Sequence, residues 1–271
     1  MRSQALLTTF VSAVTLVACG GGDSPSAPSA TTQSITVSSS SDLLQVGASE
    51  TFTATATMSD GSTRTLTGGV WGTDAPFVAT VESGTGRVTG VGSGMATIFV
   101  DAQGRRGSKL VRGLPSYQGT WSGSYAVTGC TQSGSFALAN ACRDTFAVNR
   151  VLPMNMVNTQ TRDAVNGQFA LGSISGSGSG PVQTNGELSF AGTARSGDLS
   201  IDTAWSMHST QAGRITGSAG FILRFAGLSG EARVDVSIRD LNRTSNLQPG
   251  VAPPARTVRS LDDLRAALEG R

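Results

Sequence analysis

Side chains that could do chemistry are few in this chain. It has three cysteines, Cys19, Cys130 and Cys142, and a single histidine, His208. A structural metal site takes four donors in a tight tetrahedral set, and two cysteines with one distant imidazole do not supply it, so no metal and no other cofactor is expected. Asp60, Asp74 and Asp101 are isolated turn acids without the oxygen-rich loop that calcium takes. His208 falls on the polar face of an alternating segment, where an imidazole is solvated, and Asp198, Asp202 and Asp235 sit at turns or on solvent faces. No Gly-x-Ser-x-Gly elbow or phosphate loop occurs. The expectation is therefore no catalytic residue and no enzyme. A net charge of +2, with Arg105-Arg106 and Arg256/Arg259 the only basic pairs of note, gives no basic stripe for nucleic acid.

Cys19 differs from the other two in its setting. Met1-Arg2 gives a positive start, Ala5 to Ala18 is mostly apolar, and small Ala18 precedes the cysteine, the layout of a secretory leader over residues 1–18 with its cleavage site. The stretch is too short and too rich in Thr and Ser for a spanning helix, which needs about 20 apolar residues. Leu16-Val17-Ala18-Cys19 resembles the lipobox of bacterial lipoproteins. That resemblance implies that Cys19 becomes the first mature residue and is the site of lipid attachment, on its thiol and its freed amine. One acyl chain binds a membrane only marginally, whereas two or more hold it stably. Residues 19–33 begin Gly20-Gly21-Gly22-Asp23 and continue as a Ser/Pro/Ala/Thr run, a solvated tether. In lipoproteins of double-membraned bacteria an Asp directly after the cysteine favours retention at the inner membrane. Gly20 stands there, so the outer membrane is favoured, with periplasmic and surface-facing placements both open. With Cys19 given to lipid by this resemblance, Cys130 and Cys142 remain as a pair in a secreted setting where disulfides persist. Closing that loop contributes roughly 3 kcal/mol.

The elements that carry these residues read as all-β. Charged residues make up 14% of the chain against about 25% in typical soluble domains, and glycine is abundant, which suits exposed β structure outside the cytosol. Over residues 34–113, Phe52, Ala54, Ala56 and Met58 alternate with threonines, Asp60-Gly61 offers a hairpin turn, and Ala96, Ile98 and Val100 alternate again. Several such strands in about 80 residues argue for an Ig-like sandwich. Val70-Trp71-Gly72-Thr73-Asp74, then Val78-Ala79-Thr80-Val81, then Gly86 to Ile98 (GRVTGVGSGMATI), preceded by Ile35-Thr36-Val37 and Leu43-Leu44-Gln45-Val46-Gly47, are similar to the bacterial Ig-like domain, group 2. Pro76-Phe77 departs from that family's pattern, a change expected to reshape a loop and not the sheet. The resemblance implies a spacer or stalk of a bacterial surface protein, with Trp71 in the core.

Residues 117–243 have another rhythm. Leu199/Ile201/Thr203/Trp205/Met207, Val165/Gly167/Phe169/Leu171, Ile215 through Phe225 and Val234/Val236/Ile238 each alternate with period two between short glycine-rich turns, and no helical period intervenes. About eight strands so joined predict an antiparallel up-and-down β-barrel; a second sandwich fits the same strand count. A transmembrane barrel would need aromatic girdles that three Trp and two Tyr do not supply. Gly119-Thr120-Trp121 resembles the Gly-x-Trp opening of lipocalin-like and avidin-like barrels, which implies an arginine from the last strand over the Trp, either Arg239 or Arg243. Residues 244–271 form a Pro-containing linker and a short helix in which Ser260 and Asp263 approximate a capping box and Leu261, Leu264 and Leu268 share a face. A membrane, through the lipid, is the expected first partner. Beyond it stand two expectations. The barrel is presented for adhesion or envelope interaction, with a surface glycan or protein as partner, or it encloses a small apolar ligand, with Phe169, Trp205 and Phe221 as candidate wall residues.

Overall fold

The computed structural model describes residues 29–210, 213–245 and 257–270. The leader, Cys19 and most of the tether lie outside the described residues.

The N-terminal module holds ten short strands. They are β1 (Thr32–Ser38), β2 (Leu43–Gln45), β3 (Ser49–Thr51), β4 (Thr53–Met58), β5 (Thr63–Thr65), β6 (Val70–Thr73), β7 (Ala79–Val81), β8 (Arg87–Gly90), β9 (Gly94–Ala102) and β10 (Arg105–Leu114). They form sheets in the orders β1-β4-β5, β2-β10-β9-β6 and β3-β8-β7. The alternation in β4 and β9 buries Ala54, Ala56, Ala96, Ile98 and Val100, and Ala54, Ala96, Ile98 and Val100 share one core cluster with Phe52, Val88 and Trp71. Asp60-Gly61 turns β4 into β5, with Gly61 at φ +79 and the Asp60 carboxylate accepting from the Ser62 N–H at 2.9 Å. Gly86 lies flat against the core indole: a Cβ there would come within 2.8 Å of the Trp71 ring. Trp71 is therefore a core residue whose ring needs a neighbour without a side chain. Phe77 is 72% exposed in the turn before β7, so the departure at Pro76-Phe77 is a surface feature and the sheet is intact.

The second module is a closed antiparallel barrel of eight strands. They are β11 (Gly119–Gln132), β12 (Val151–Thr161), β13 (Ala164–Leu171), β14 (Ile174–Pro181), β15 (Glu187–Ser196), β16 (Leu199–Ser209), β17 (Arg214–Phe225) and β18 (Ala232–Ser245). Each pairs with the next, and β18 returns to β11. The barrel alternative to a second sandwich is thus the one adopted, since closure removes both sheet edges. Two helical turns, α1 (Ser135–Leu138) and α2 (Ala141–Asp144), interrupt the connection from β11 to β12, where a purely strand-and-turn meander was expected. They are too short for any apolar period to show in the sequence.

The inward row explains the oddest strand. β14 (ISGSGSGP) has one apolar residue, Ile174, and presents glycines inward at positions 176, 178 and 180. Large rings from its neighbours fill the space. A Cβ on Gly176 would lie 2.5 Å from the Phe169 ring, one on Gly178 2.6 Å from the Phe190 ring, and one on Gly192 of β15 2.8 Å from Phe169. Inserting atoms into such a core costs about 1–3 kcal/mol. Gly178→Ala is accordingly expected to lower the urea unfolding midpoint by about that free energy with the barrel retained, while Ser177→Ala, on the outer face of the same strand, leaves the midpoint within about 0.5 kcal/mol.

Candidate functional site

The three candidate wall residues come together. Phe169 and Trp205 have ring centroids 5.7 Å apart, Trp205 and Phe221 5.2 Å, and Tyr125 meets Phe221 edge-on at 5.6 Å. All are buried. The indole N–H of Trp205 donates to the Thr203 hydroxyl at 2.8 Å, and that hydroxyl donates to the Gly192 carbonyl at 3.1 Å. Thr203, set between apolar Ile201 and Trp205 in the inward row of β16, is in place to satisfy a buried indole. These rings touch each other across the barrel.

One barrel end is closed by a group that sequence reading caught only in part. Trp121 is fully buried, its indole N–H donates to the Tyr117 carbonyl at 2.9 Å, and the Arg243 guanidinium stands 4.5 Å over its ring. Of the two arginines available, Arg243 is the one that covers the Trp. It also donates to the Ser116 carbonyl at 2.6 Å, and burial lowers its pKa. Tyr117, two residues before the Gly-x-Trp opening, went unpredicted. Its hydroxyl lies 2.8 Å from the carbonyls of both Gly186 and Met207 and accepts from the Ser209 N–H at 3.0 Å. Its backbone N–H donates to Gln160, whose amide donates in turn to the carbonyls of Pro115 and Arg162. A tyrosine outside any strand pattern gives no periodic signal, which is why it was missed. Beside this end a cleft of about 430 Å³ separates the two modules, lined by Gln45, Ser93, Ser116, Gln118, Thr210 and Arg243 among others.

The remaining candidates are dispersed. His208 is half-exposed on the outer wall, 3.9 Å from Glu187. The Glu187 carboxyl is held below its ordinary range, chiefly by a hydrogen bond from the Ser206 hydroxyl. Asp202 pairs with Arg224 at 2.7 Å. Asp101 is ion-paired to Arg106, whose hydrogen bonds lower its pKa, and Asp74 accepts from the Thr97 N–H at 2.6 Å. Among the described residues no three His, Cys, Asp or Glu side chains gather as metal ligands. Cys130, near the end of β11, and Cys142, in α2, form a disulfide. It ties the helical excursion back to the barrel wall, and the Gln132 side chain reinforces it by accepting from the Cys142 N–H at 2.8 Å.

Comparison with known families matches residues 31–109 to the bacterial Ig-like domain (group 2). The match spans the first module alone and leaves the barrel outside it. No curated protein matches the chain.

Two outcomes follow from this geometry. Burial pushes the Tyr117 phenol up to about 12 from an ordinary value near 10, and pushes Tyr125 up as well. A phenol whose folded pKa is raised stabilises the fold fully below the unfolded value and loses that contribution as pH climbs through the folded one. Urea midpoints are expected to hold up to about pH 10 and then fall toward pH 12, with a shallower fall in Tyr117→Phe; an unchanged slope in that variant removes Tyr117 as a cause. Separately, replacing Cys130 and Cys142 together by Ser is expected to cost about 3 kcal/mol in unfolding free energy, the loop-closure contribution for a disulfide of this span.

Proposed function

We propose that the chain is a non-enzymatic, lipid-anchored protein of the bacterial cell envelope, in which the Ig-like module holds the barrel away from the membrane for adhesion or envelope interaction. The observation that carries this reading is the match of residues 31–109 to a domain family found in bacterial surface proteins. The junction beyond it is short, since β10 ends at Leu114 and β11 begins at Gly119. Across it the Arg112 guanidinium donates to the Thr184 carbonyl at 3.1 Å and the Gln45 side-chain amide to the Ser116 hydroxyl at 3.4 Å. A spacer joined so closely transmits its orientation to what it carries.

The anchor rests on the lipobox-like Leu16-Val17-Ala18-Cys19 and the Ser/Pro/Ala/Thr run after it, and Gly20 favours the outer membrane. No helix among the described residues is long and apolar enough to cross a membrane. A presenting role is also supported by the barrel interior, where Phe169, Trp205 and Phe221 pack on one another. A carrier with its ligand held at that level would need those rings apart. Candidate partners are accordingly a surface glycan or a protein on the outer wall, with no nucleic acid.

Cys19→Ala tests the anchor. The variant is expected to leave the membrane pellet for the soluble fraction with its folded state unchanged, and to lose incorporation of a labelled fatty acid. Continued pelleting with no label in the wild type overturns lipid attachment.

A further inference from the structure

The connections β11–β12, β13–β14, β15–β16 and β17–β18 share one end of the barrel, opposite Tyr117, and two pieces of chain lie across that mouth. One is the disulfide-tied excursion 133–149, whose Phe136 ring is 5.9 Å from Phe225. The other is residues 257–270, which include α3 (Leu261–Leu268). Ser260 caps α3 by accepting from the Asp263 N–H at 3.1 Å, and the Asp263 carboxylate accepts from the Arg259 N–H at 3.1 Å. Val258, Leu264, Ala267 and Leu268 are buried as part of the barrel's own apolar core. The Ala267 carbonyl accepts from the N–H and hydroxyl of Ser173, at 2.8 and 3.1 Å. Val258 accepts from the Asp198 N–H at 3.1 Å and donates to the Ser196 hydroxyl at 3.2 Å. The tips of both hairpins are glycines with positive φ, Gly172 at +61 and Gly197 at +59, and a side chain on either would run into the Ala267 or Val258 carbonyl. The mouth is shaped to this segment.

The segment ends on a charge. Glu269 pairs with Arg150, and both side chains are about four-fifths buried. Arg150 is held independently, because its other nitrogen donates to the carbonyls of Asp144 and Thr145 at 2.8 and 3.2 Å, just past the disulfide loop. Below lies Tyr125, fully buried, with a hydroxyl that makes no hydrogen bond and on which the Arg150 charge acts.

We propose that this mouth is a binding site for a long-chain carboxylate, and that residues 257–270 occupy it as a built-in stand-in for that ligand. The segment presents a run of apolar groups ending in a carboxylate on Arg150. A fatty acid presents the same sequence of groups, and its carboxylate can also take the hydrogen bond that the segment leaves unmade at Tyr125. An eight-residue helix is marginal alone, and this segment is joined to the barrel by side-chain and loop contacts and not by a strand ladder, whereas every barrel strand is paired along both edges. It is the part that opens first. A ligand that binds only when the segment is out shifts the population toward the open form by its affinity for that form. An alcohol of equal chain length cannot do so as well, since it leaves a part-buried guanidinium without its carboxylate. The proposal stands whether or not Cys19 carries lipid.

The test is amide hydrogen exchange of the full-length protein with dodecanoate or dodecanol, both below micellar concentration. Dodecanoate is expected to speed exchange in residues 258–268 by roughly tenfold and dodecanol to have little effect. Glu269→Gln, which weakens the stand-in without touching the barrel, is expected to tighten dodecanoate binding several-fold. Arg150→Gln should erase the preference for carboxylate over alcohol, and Tyr125→Phe should weaken dodecanoate severalfold with exchange in the free protein unchanged. Exchange that dodecanoate leaves unchanged in both wild type and Glu269→Gln overturns the proposal, and so does equal release by the alcohol.

Discussion

An eight-stranded barrel has no free edge, but its interior has a fixed width, and whatever side chains point inward must fill it without exceeding it. Here that constraint is met by unequal partners. Phe169, Phe190, Trp205, Phe221 and Tyr125 are too large for every strand to contribute one, so the strand facing them contributes almost nothing: β14 offers Gly176, Gly178 and Gly180, and β15 adds Gly192. The rings lie where those side chains would be. Ring packing and strand pairing therefore depend on each other, because a Cβ anywhere in the glycine patch meets either an aromatic edge or a neighbouring carbonyl.

Filling the middle leaves the two ends, and the chain treats them differently. At the end next to the Ig-like module, closure is made of fixed polar contacts around Trp121, with Arg243 above the ring and the Tyr117 hydroxyl among the Gly186, Met207 and Ser209 backbone groups. These are short links between residues that belong to the barrel or to its entry. At the far end the cover is two separate segments, one secured by a disulfide and the other by side chains of an eight-residue helix, with Arg150 joining them. The first arrangement fixes the junction-side end through contacts within the barrel and its entry; the second includes a segment that makes no ladder bond.

How much of this was legible follows from which forces write a period into sequence. β16, β17 and β18 alternate because one face is buried, so Leu199, Phe221 and Val234 could be placed inward from spacing alone. The Ig-like module was legible for another reason: its turn glycines and strand residues recur in a fixed order, and Gly86 shows why one of them is required. β14 was silent, since a strand whose inward face is empty carries no apolar alternation. The choice of Arg243 over Arg239 depended on bulges where β18 pairs β11 and β17, which shift register and leave no local mark. Tyr117, Gln160 and the Arg150–Glu269 pair act across 43 to 119 residues of sequence, beyond the reach of any pattern in a short window. Cys19 and its tether remain a matter of sequence, outside the described residues.

The outer wall completes the argument about what such a barrel can offer. Outward positions on β12, β13 and β14 carry no charge; hydroxyls and amides such as Asn155, Thr159, Asn166, Gln168, Ser177 and Ser179 stand there beside apolar Val151 and Val157. Across β16 to β18 the surface changes, with Arg224 bridging Asp202 and Glu231, and Arg233 closing on Glu231 at 2.6 Å. Exposed ion pairs of this kind add little stability, so their clustering on one side is not explained by the needs of the fold. A barrel filled by its own rings meets other molecules through its wall and its mouth. The uncharged wall suits contacts made by many hydrogen bonds to neutral groups, and the charged wall keeps the opposite side solvated. The Ig-like module joins this barrel through a four-residue junction, at the end that Trp121 and Tyr117 close, which leaves both walls and the far mouth clear of it.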